Sequence, residues 1–395
     1  MKRYVIIGAG NSGLTCAKTI RKYDKNCEIV MISDENYPPY CRCLLTYYIE
    51  DKVDEKILFE NNKKILKKFN INFIQGERVE YINSTLQKVK LRSGKEIEYD
   101  KLFLGIGGTP KISKFSNDNS ILVTTLRKFD EAKIIKSHFK KGNTAVLEGG
   151  GLVSLKTLLA LYEIGVKIYW VVKSPYILSF IIDRESAQII EDFILEKGIN
   201  LIKNAEIIEV KNKIVKISDG KEIKADGIII GKGVKALQIP ADKEFLFDDG
   251  FKVNEYMETN IENIFAGGDC TIVYDIPHET RRKVALWPVA GEHGYFAGLN
   301  MLGMKRKYKG SVQVNSFSVF ANNIIAGGKK RIFDDEREKY YEVSFKKGKV
   351  FKKFILRRTD DSICGYVFIN DIFKSGPFYY EIKGGGSYER NFNRY

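Results

Sequence analysis

The sequence predicts an α/β protein with two Rossmann-like dinucleotide-binding domains and a small α+β domain at the C-terminal end. Three observations predict this. A glycine-rich turn follows an apolar strand at the very start of the chain, a second such turn begins near Glu148, and a strand-rich segment follows residue 308. At 395 residues the chain is also too long for one simple core.

The first unit is "RYVIIGAGNSGLTCAKTIRKY". Tyr4 to Ile7 read as a buried strand and Leu14 to Tyr23 as a helix, with apolar positions at helical spacing. Between them Gly8, Gly10 and Gly13 fit the GxGxxG pattern. Gly8 suits a tight turn, Gly10 lets a pyrophosphate reach the backbone, and Gly13 lets helix and strand pack closely. Phosphates then sit at the helix N-terminus, where free N–H groups and the dipole favour anions. A second strand, "CEIVMISDE", ends in Asp34 and Glu35, where a ribose-binding carboxylate belongs.

The second unit, "NTAVLEGGGLVSLKTLLALYEIGVKIYWVVKSP", repeats this plan with changes. Gly149 and Gly151 hold the first two glycine positions and Ser154, still small, holds the third. Its second strand ends in Lys173 and Ser174, a cation and a hydroxyl that suit a 2′-phosphate better than a bare ribose diol. Glu148 is unexpected beside phosphates unless its carboxylate points away. A nucleotide fold with weakened or lost binding is the competing interpretation of these departures.

Composition narrows the classes. Hydrophobic residues at 44% and charged residues at 29% describe an ordinary globular protein. No apolar run reaches the roughly 18 residues a membrane helix needs. "MKRYVIIGAG" has too short an apolar run for a signal peptide. Six irregularly spaced cysteines fit a reducing, cytoplasmic setting. His138, His278 and His293 are scattered, so no metal site is expected. Residues 301 to 395 hold 20 Lys+Arg against 10 Asp+Glu, most of the net charge of +15. No nucleic-acid-binding motif accompanies that charge.

Further stretches carry a resemblance. "DKLFLGIGGTPKI" and "ADGIIIGKGVKA" look like the paired crossover strands between two nucleotide domains, "NIENIFAGGDCTI" like a flavin-binding strand, and "ALWPVAGEHGYFAGLNMLG" like the helix closing over the isoalloxazine. In this order they resemble the FAD-dependent pyridine nucleotide–disulfide oxidoreductase superfamily. The short C-terminal segment resembles the NADH:rubredoxin reductase, NADH oxidase and nitrite reductase flavin-subunit branch. The resemblance implies bound FAD and a nicotinamide nucleotide, with NAD and NADP both open. It assigns Asp269 to the ribityl chain and Trp287 and Pro288 to the flavin ring, and adds Ser12, Arg42, Val79, Gly107 and Gly233 to the cofactor-contacting positions. It divides the chain into an FAD domain (1–112 and 245–308), an NAD(P)-binding-like domain (113–244), a C-terminal domain (309–383) and a flexible tail (384–395).

In the same likeness, "YPPYCRCLLTYYI" runs along the flavin. Set beside the oxygen- and disulfide-reducing form "NCGLPYYI", Cys43 falls on the redox cysteine. Set beside the rubredoxin- and ferredoxin-reductase form "SRPLLSKYL", Arg42 matches and Cys41 falls on a serine. In an extended chain the two cysteines would stand about 6.5–7 Å apart, too far for a routine disulfide. Tyr47 and Lys156 replace the family's lysine and glutamate, so a positive charge from Lys156 is expected near flavin N5. Cys43 and Lys156 are thus the catalytic candidates, with packing or surface roles as the alternatives.

The expected activity is electron transfer between NAD(P)H and an acceptor. An acidic ferredoxin- or rubredoxin-like carrier, or an iron–sulfur subunit, comes first; no nucleic acid or membrane partner is expected. Two alternatives stay open: a flavin subunit without its own nicotinamide site, and an oxidase or disulfide reductase using Cys43. Lys305, Arg306, Lys307, Lys309, Lys346, Lys347, Lys349, Lys352 and Lys353 are the expected steering charges for an acidic carrier.

Overall fold

The computed structural model describes residues 1–384. The expected tail lies outside the described residues apart from Gly384. The first sheet is parallel, in the order Ile264–Ala266, Lys101–Leu104, Arg3–Ile7, Glu28–Ser33 and Asn72–Gln75. Its central strands are almost continuously apolar because both faces are covered. Helix Asn11–Tyr23 begins three positions before the expected Leu14, since Gly10 has extended backbone and caps it.

The second sheet repeats the design, in the order Leu122–Thr125, Gly227–Ile230, Thr144–Glu148, Lys167–Val172 and Asn200–Lys203. The two sheets are linked by a short antiparallel pair, Gly108–Pro110 with Val234–Ala236. Gly107 and Gly233, both at positive φ, stand at the entrances to that pair.

Residues 314–382 form a five-stranded antiparallel sheet with helix Ser375–Ile382 packed on it. Phe354, Tyr366, Phe368 and Phe378 make its own apolar core. A second cluster joins three parts of the chain: Tyr40, Leu45 and Tyr48, then Leu155 and Leu158, then Phe317, Val319 and Phe351. The segment holding Cys41 and Cys43 is therefore fixed between packed bodies rather than left on a free loop.

Strand Val350–Arg357 corrects the expected lysine cluster. It is buried along most of its length, and Lys352 and Lys353 lie inside it. Lys352 pairs with Asp371 at 2.6 Å; Lys353 pairs with Glu342 at 2.8 Å and Asp183 at 3.1 Å. Buried cations need such partners. Neither lysine is available to steer a carrier, whereas Lys346, Lys347 and Lys349 are exposed at the adjoining hairpin turn. Lys307 is likewise taken up by Glu255 at 2.8 Å.

Helix Asn11–Tyr23 packs against helix Trp287–Met301 through glycines. A Cβ on Gly294 would stand 2.0 Å from the Ser12 carbonyl oxygen, and one on Gly298 would stand 2.9 Å from the Thr19 Cβ. Gly294→Ala should therefore cost about 1–3 kcal/mol through forced separation of the helices. It should lower the melting temperature, while Gly376→Ala, whose Cβ meets nothing within 4 Å, should leave it nearly unchanged. Equal melting temperatures for the two variants would show that the helices yield without cost.

Candidate active site

The N-termini of helices Asn11–Tyr23 and Trp287–Met301 lie side by side, joined by a 2.5 Å hydrogen bond from the Asn11 side-chain amide to the Trp287 carbonyl. Neither helix has a side-chain cap, so both present free backbone N–H groups. Gly8, at φ +102°, approaches the Gly105 carbonyl so closely that a Cβ would stand 2.2 Å away. A Cβ on Gly13 would stand 2.0 Å from the Gly8 carbonyl. Gly10 faces open space, with nothing within 4 Å. The turn is thus closed on its protein side and open where an anion would approach.

Around this turn the polar groups are paired. Arg42 bonds the Glu35 carboxylate at 2.6 Å and the Arg127 carbonyl at 2.6 Å. The Tyr40 hydroxyl donates to Glu35 at 2.6 Å. Arg127 in turn pairs with Asp269 at 2.9 Å, and Lys128 holds Asp34 at 2.8 Å. Arg127 was not singled out from sequence, because nothing local in "TTLRKFDEA" marks it; only folding brings it onto Asp269 and beside Gly107. The fully buried His293 accepts from the Gly268 N–H at 3.1 Å and so props the turn that carries Asp269. Burial pushes its pKa down to about 3.

Other expected contacts fall around the same edge. Trp287 and Pro288 are exposed at the helix start, ready to face a ligand. Val79 is buried, just beyond the segment that bonds back to Ser33 and Glu35 through Glu77 and Gly76. Ser12 is buried, its hydroxyl near where Cβ atoms on Gly105 and Gly268 would stand, which points its side chain into packing.

The second glycine turn is also intact. Gly149 lies at φ +114° against the Gly231 carbonyl, and Gly151 opens the helix Leu152–Glu163 without a side-chain cap. Ser154 fits the third position because Gly231 stands opposite; a Cβ there would meet the Ser154 hydroxyl at 2.2 Å. The Glu148 carboxylate is buried and turned to the Ser113 hydroxyl and to Lys232, 3.2 Å away. Lys232 also reaches Glu206 at 3.3 Å, and Glu206 binds Lys173 at 2.9 Å. Lys173 is therefore not an isolated cation, and its hydrogen bond is the main influence holding the Glu206 carboxyl below the usual range.

Cys41 is half-buried and Cys43 exposed, and both are free thiols. Arg42, between them, begins a helical turn, Arg42–Leu44, closed by the Leu44 N–H on the Cys41 carbonyl at 3.0 Å. The extended chain assumed from sequence is thus corrected. Hydrogen bonding from Cys43, then from the backbone N–H groups of Cys43 and Leu44, together with the Lys156 charge, lowers the Cys41 thiol from its ordinary range. The same contact and the Cys41 and Asp269 charges push the Cys43 thiol up, against the opposing pull of Lys156. Lys156 itself lines a cavity of about 340 Å³ with Thr46, Tyr47 and Ser316. Cys270 is buried and its thiol pushed up to about 12, as a packing residue requires.

Comparison with known proteins decides the family, for residues 2–294 match the pyridine nucleotide-disulphide oxidoreductase model. The chain belongs to that family. An NADH oxidase from Methanocaldococcus jannaschii is 30% identical over 319 residues, covering 78% of this chain and 71% of the relative. NADH-rubredoxin oxidoreductase from Clostridium acetobutylicum is 28% identical over 88% of this chain and 89% of its own length. Among solved structures, a NAD-dependent persulfide reductase from A. fulgidus superposes with a TM-score of 0.88, covering 98% of this chain and 77% of that one at 22% identity. That likeness shows the fold, two Rossmann-like domains and a C-terminal domain.

The protein is accordingly an FAD-dependent NAD(P)H oxidoreductase. Its residues fit FAD: the open side of Gly10 and the two uncapped helix ends suit its phosphates, and the carboxylates of Glu35 and Asp269 suit hydroxyl groups. Among the described residues no helix is long and apolar enough to cross a membrane.

His293 gives this site a pH signature. Its folded pKa of about 3 lies below the unfolded value, so the unfolded chain binds a proton first as pH falls. Stability is complete above the ordinary histidine range and declines below it, by up to about 2 kcal/mol between pH 6.5 and 5. His293→Asn should flatten that decline in a series of denaturant titrations. An unchanged acid slope would mean that His293 takes a proton in the folded state.

Proposed function

We propose that this protein accepts hydride from NADH onto bound FAD and passes the electrons to an acidic carrier protein of ferredoxin or rubredoxin type. The observation carrying the carrier assignment is the hairpin Tyr340–Lys347 and Val350–Arg357. Its turn presents Lys346, Lys347 and Lys349 exposed and, among the described residues, without an ion-pair partner. Small redox interfaces depend on such charge for encounter more than for lifetime. The relationship to NADH-rubredoxin oxidoreductase supports such an acceptor.

In this mechanism the chain supplies placement and electrostatics. The uncapped helix ends anchor phosphates, and the turns at Gly8 and Gly149 keep side chains out of their path. Lys156 contributes a positive charge beside the thiols and against helix Leu45–Ile49. Bound FAD supplies a hydride acceptor that can also release electrons singly.

NADH is preferred over NADPH in this reading because Glu206 compensates Lys173 and would oppose a 2′-phosphate. This reverses the preference suggested by Lys173 and Ser174 in sequence. Glu206→Gln should raise the NADPH/NADH ratio of kcat/KM about fivefold, equivalent to about 1 kcal/mol. No change in the ratio would remove Lys173 and Glu206 from the ribose site.

The carrier assignment has its own measurement. Changing Lys346, Lys347 and Lys349 together to Glu should slow association with an acidic ferredoxin about tenfold at low salt. Anaerobic flavin reduction by NADH should be unaffected in the same variant. Carrier turnover indifferent both to salt and to these changes would overturn the carrier reading, and failure of NADH to reduce the flavin would favour the subunit without a nicotinamide site.

A further inference from the structure

The second glycine turn is not walled by its own domain alone. Its middle residue, Gly150, accepts the Leu178 N–H on its carbonyl at 2.7 Å, so the segment 174–183 runs back to the turn. Ser174, at the start of that segment, has its hydroxyl 3.8 Å from where a Gly150 Cβ would stand. The Ser179 hydroxyl donates to Ser174 at 3.3 Å, and the Ile177 N–H donates to the buried Glu191 carboxylate at 3.0 Å. Leu178 itself is buried at φ 54°, a left-handed conformation that a bulky side chain rarely adopts. Such a backbone persists only where its surroundings over-determine it.

Much of that surrounding comes from the C-terminal domain. Ile177, Leu178 and Ile182 share one apolar cluster with Phe317, Val319 and Phe351 of its sheet. Two lysines of the same domain then hold the polar groups of the segment. Lys330, half-buried just beyond strand Asn322–Gly328, donates to the Phe180 carbonyl and to the Gln313 side chain. The buried Lys353 reaches the Asp183 carboxylate at 3.1 Å. Asp183 closes the segment and caps helix Arg184–Leu195, accepting from the Glu185 and Ser186 N–H groups at 3.0 and 3.2 Å. The chain just after Leu178 is thus pinned at two points from another domain.

We propose that Lys330 and Lys353 are positioning residues for the nicotinamide nucleotide, through which the C-terminal domain sets how tightly the second glycine turn binds it. Each acts by holding segment 174–183 against Gly150, and neither has to touch the nucleotide. With either contact removed, less opposes relaxation of the Leu178 backbone. The bond from Leu178 to Gly150 then opens more often, and fewer chains carry a formed turn at any moment. Apparent affinity falls by that fraction. Hydride transfer occurs only in chains where the nucleotide is seated, so its limiting rate is kept. The inference rests on the reading that this turn takes the nicotinamide nucleotide; it does not rest on the carrier reading.

The experiment follows flavin absorption of the FAD-loaded full chain, mixed anaerobically with NADH over a range of concentrations. Lys330→Met, which takes a donor only from neutral oxygens, should raise the half-saturating NADH concentration about fivefold. Lys353→Met should raise it about tenfold, and both should keep the limiting rate of flavin reduction within about twofold of wild type. Lys353→Met also strips Asp183 of a cation. If that variant does not fold, Lys353→Met with Asp183→Asn replaces it, since Asn still caps a helix. ADP-ribose, which has the pyrophosphate and both riboses but no nicotinamide, should lose affinity by the same factors in calorimetry. Instability alone would lower the amplitude of flavin reduction and leave half-saturation where it was. Unchanged half-saturation in either lysine variant, a fall in limiting rate in its place, or unaltered ADP-ribose binding would each overturn the positioning role while NADH still reduces the wild type. A wild-type flavin that NADH does not reduce would overturn the nucleotide reading, and this inference with it.

Discussion

The close packing of helix Asn11–Tyr23 against helix Trp287–Met301 is the contact on which the site depends. These segments are far apart in sequence, yet Gly294 and Gly298 let the second helix rest almost on the backbone of the first. The packing aligns two N-termini, and the hydrogen bond from Asn11 to Trp287 pins one to the other. An anion entering above Gly10 therefore meets two sets of unpaired N–H groups instead of one. The turn at Gly268 and Asp269 belongs to the same assembly, because His293 reaches it from within the second helix. A side chain at Gly294 or Gly298 would force the two helices apart.

A second theme is compensation of charge. Asp34, Glu35, Asp269, Glu148, Glu206 and Lys173 all have partners of opposite sign in the fold. Charges near a cofactor site that are held in pairs keep their geometry and cost less to desolvate than isolated ones. Pairing also alters their meaning. Lys173 is a phosphate-binding cation when read along its strand and one member of a compensated pair once Glu206 is beside it. Lys352 and Lys353 change in the same way, from surface charge to buried ion pairs.

The cysteine segment shows how a local conformation sets the surroundings of neighbouring side chains. The likeness of "RCLLTYYI" to a redox-cysteine form pointed to Cys43, and nothing in that comparison distinguished the environments of the two sulfurs. The helical turn at Arg42 turns the backbone N–H groups of Cys43 and Leu44 toward Cys41, which lowers the pKa of its thiol, while the Asp269 charge acts to raise that of Cys43. Such a difference arises from one residue's backbone angles and from a lysine on another domain's helix.

The sequence by itself determined the two nucleotide-binding units, because their signals are local. Gly8, Gly10 and Gly13 occupy a six-residue window, and the apolar runs at Tyr4–Ile7 and Ala145–Leu147 declare buried parallel strands without reference to the rest of the chain. The order of the crossover and flavin-binding stretches was equally legible, being a property of the linear chain. Only the tertiary structure decided which charges are compensated and which charges surround the cysteines. Arg127 with Asp269, Glu206 with Lys173, and Lys156 with the cysteines are separated by tens to more than a hundred residues. Electrostatic interaction depends on distance through space, and no local spacing rule encodes a contact that forms only when domains pack together.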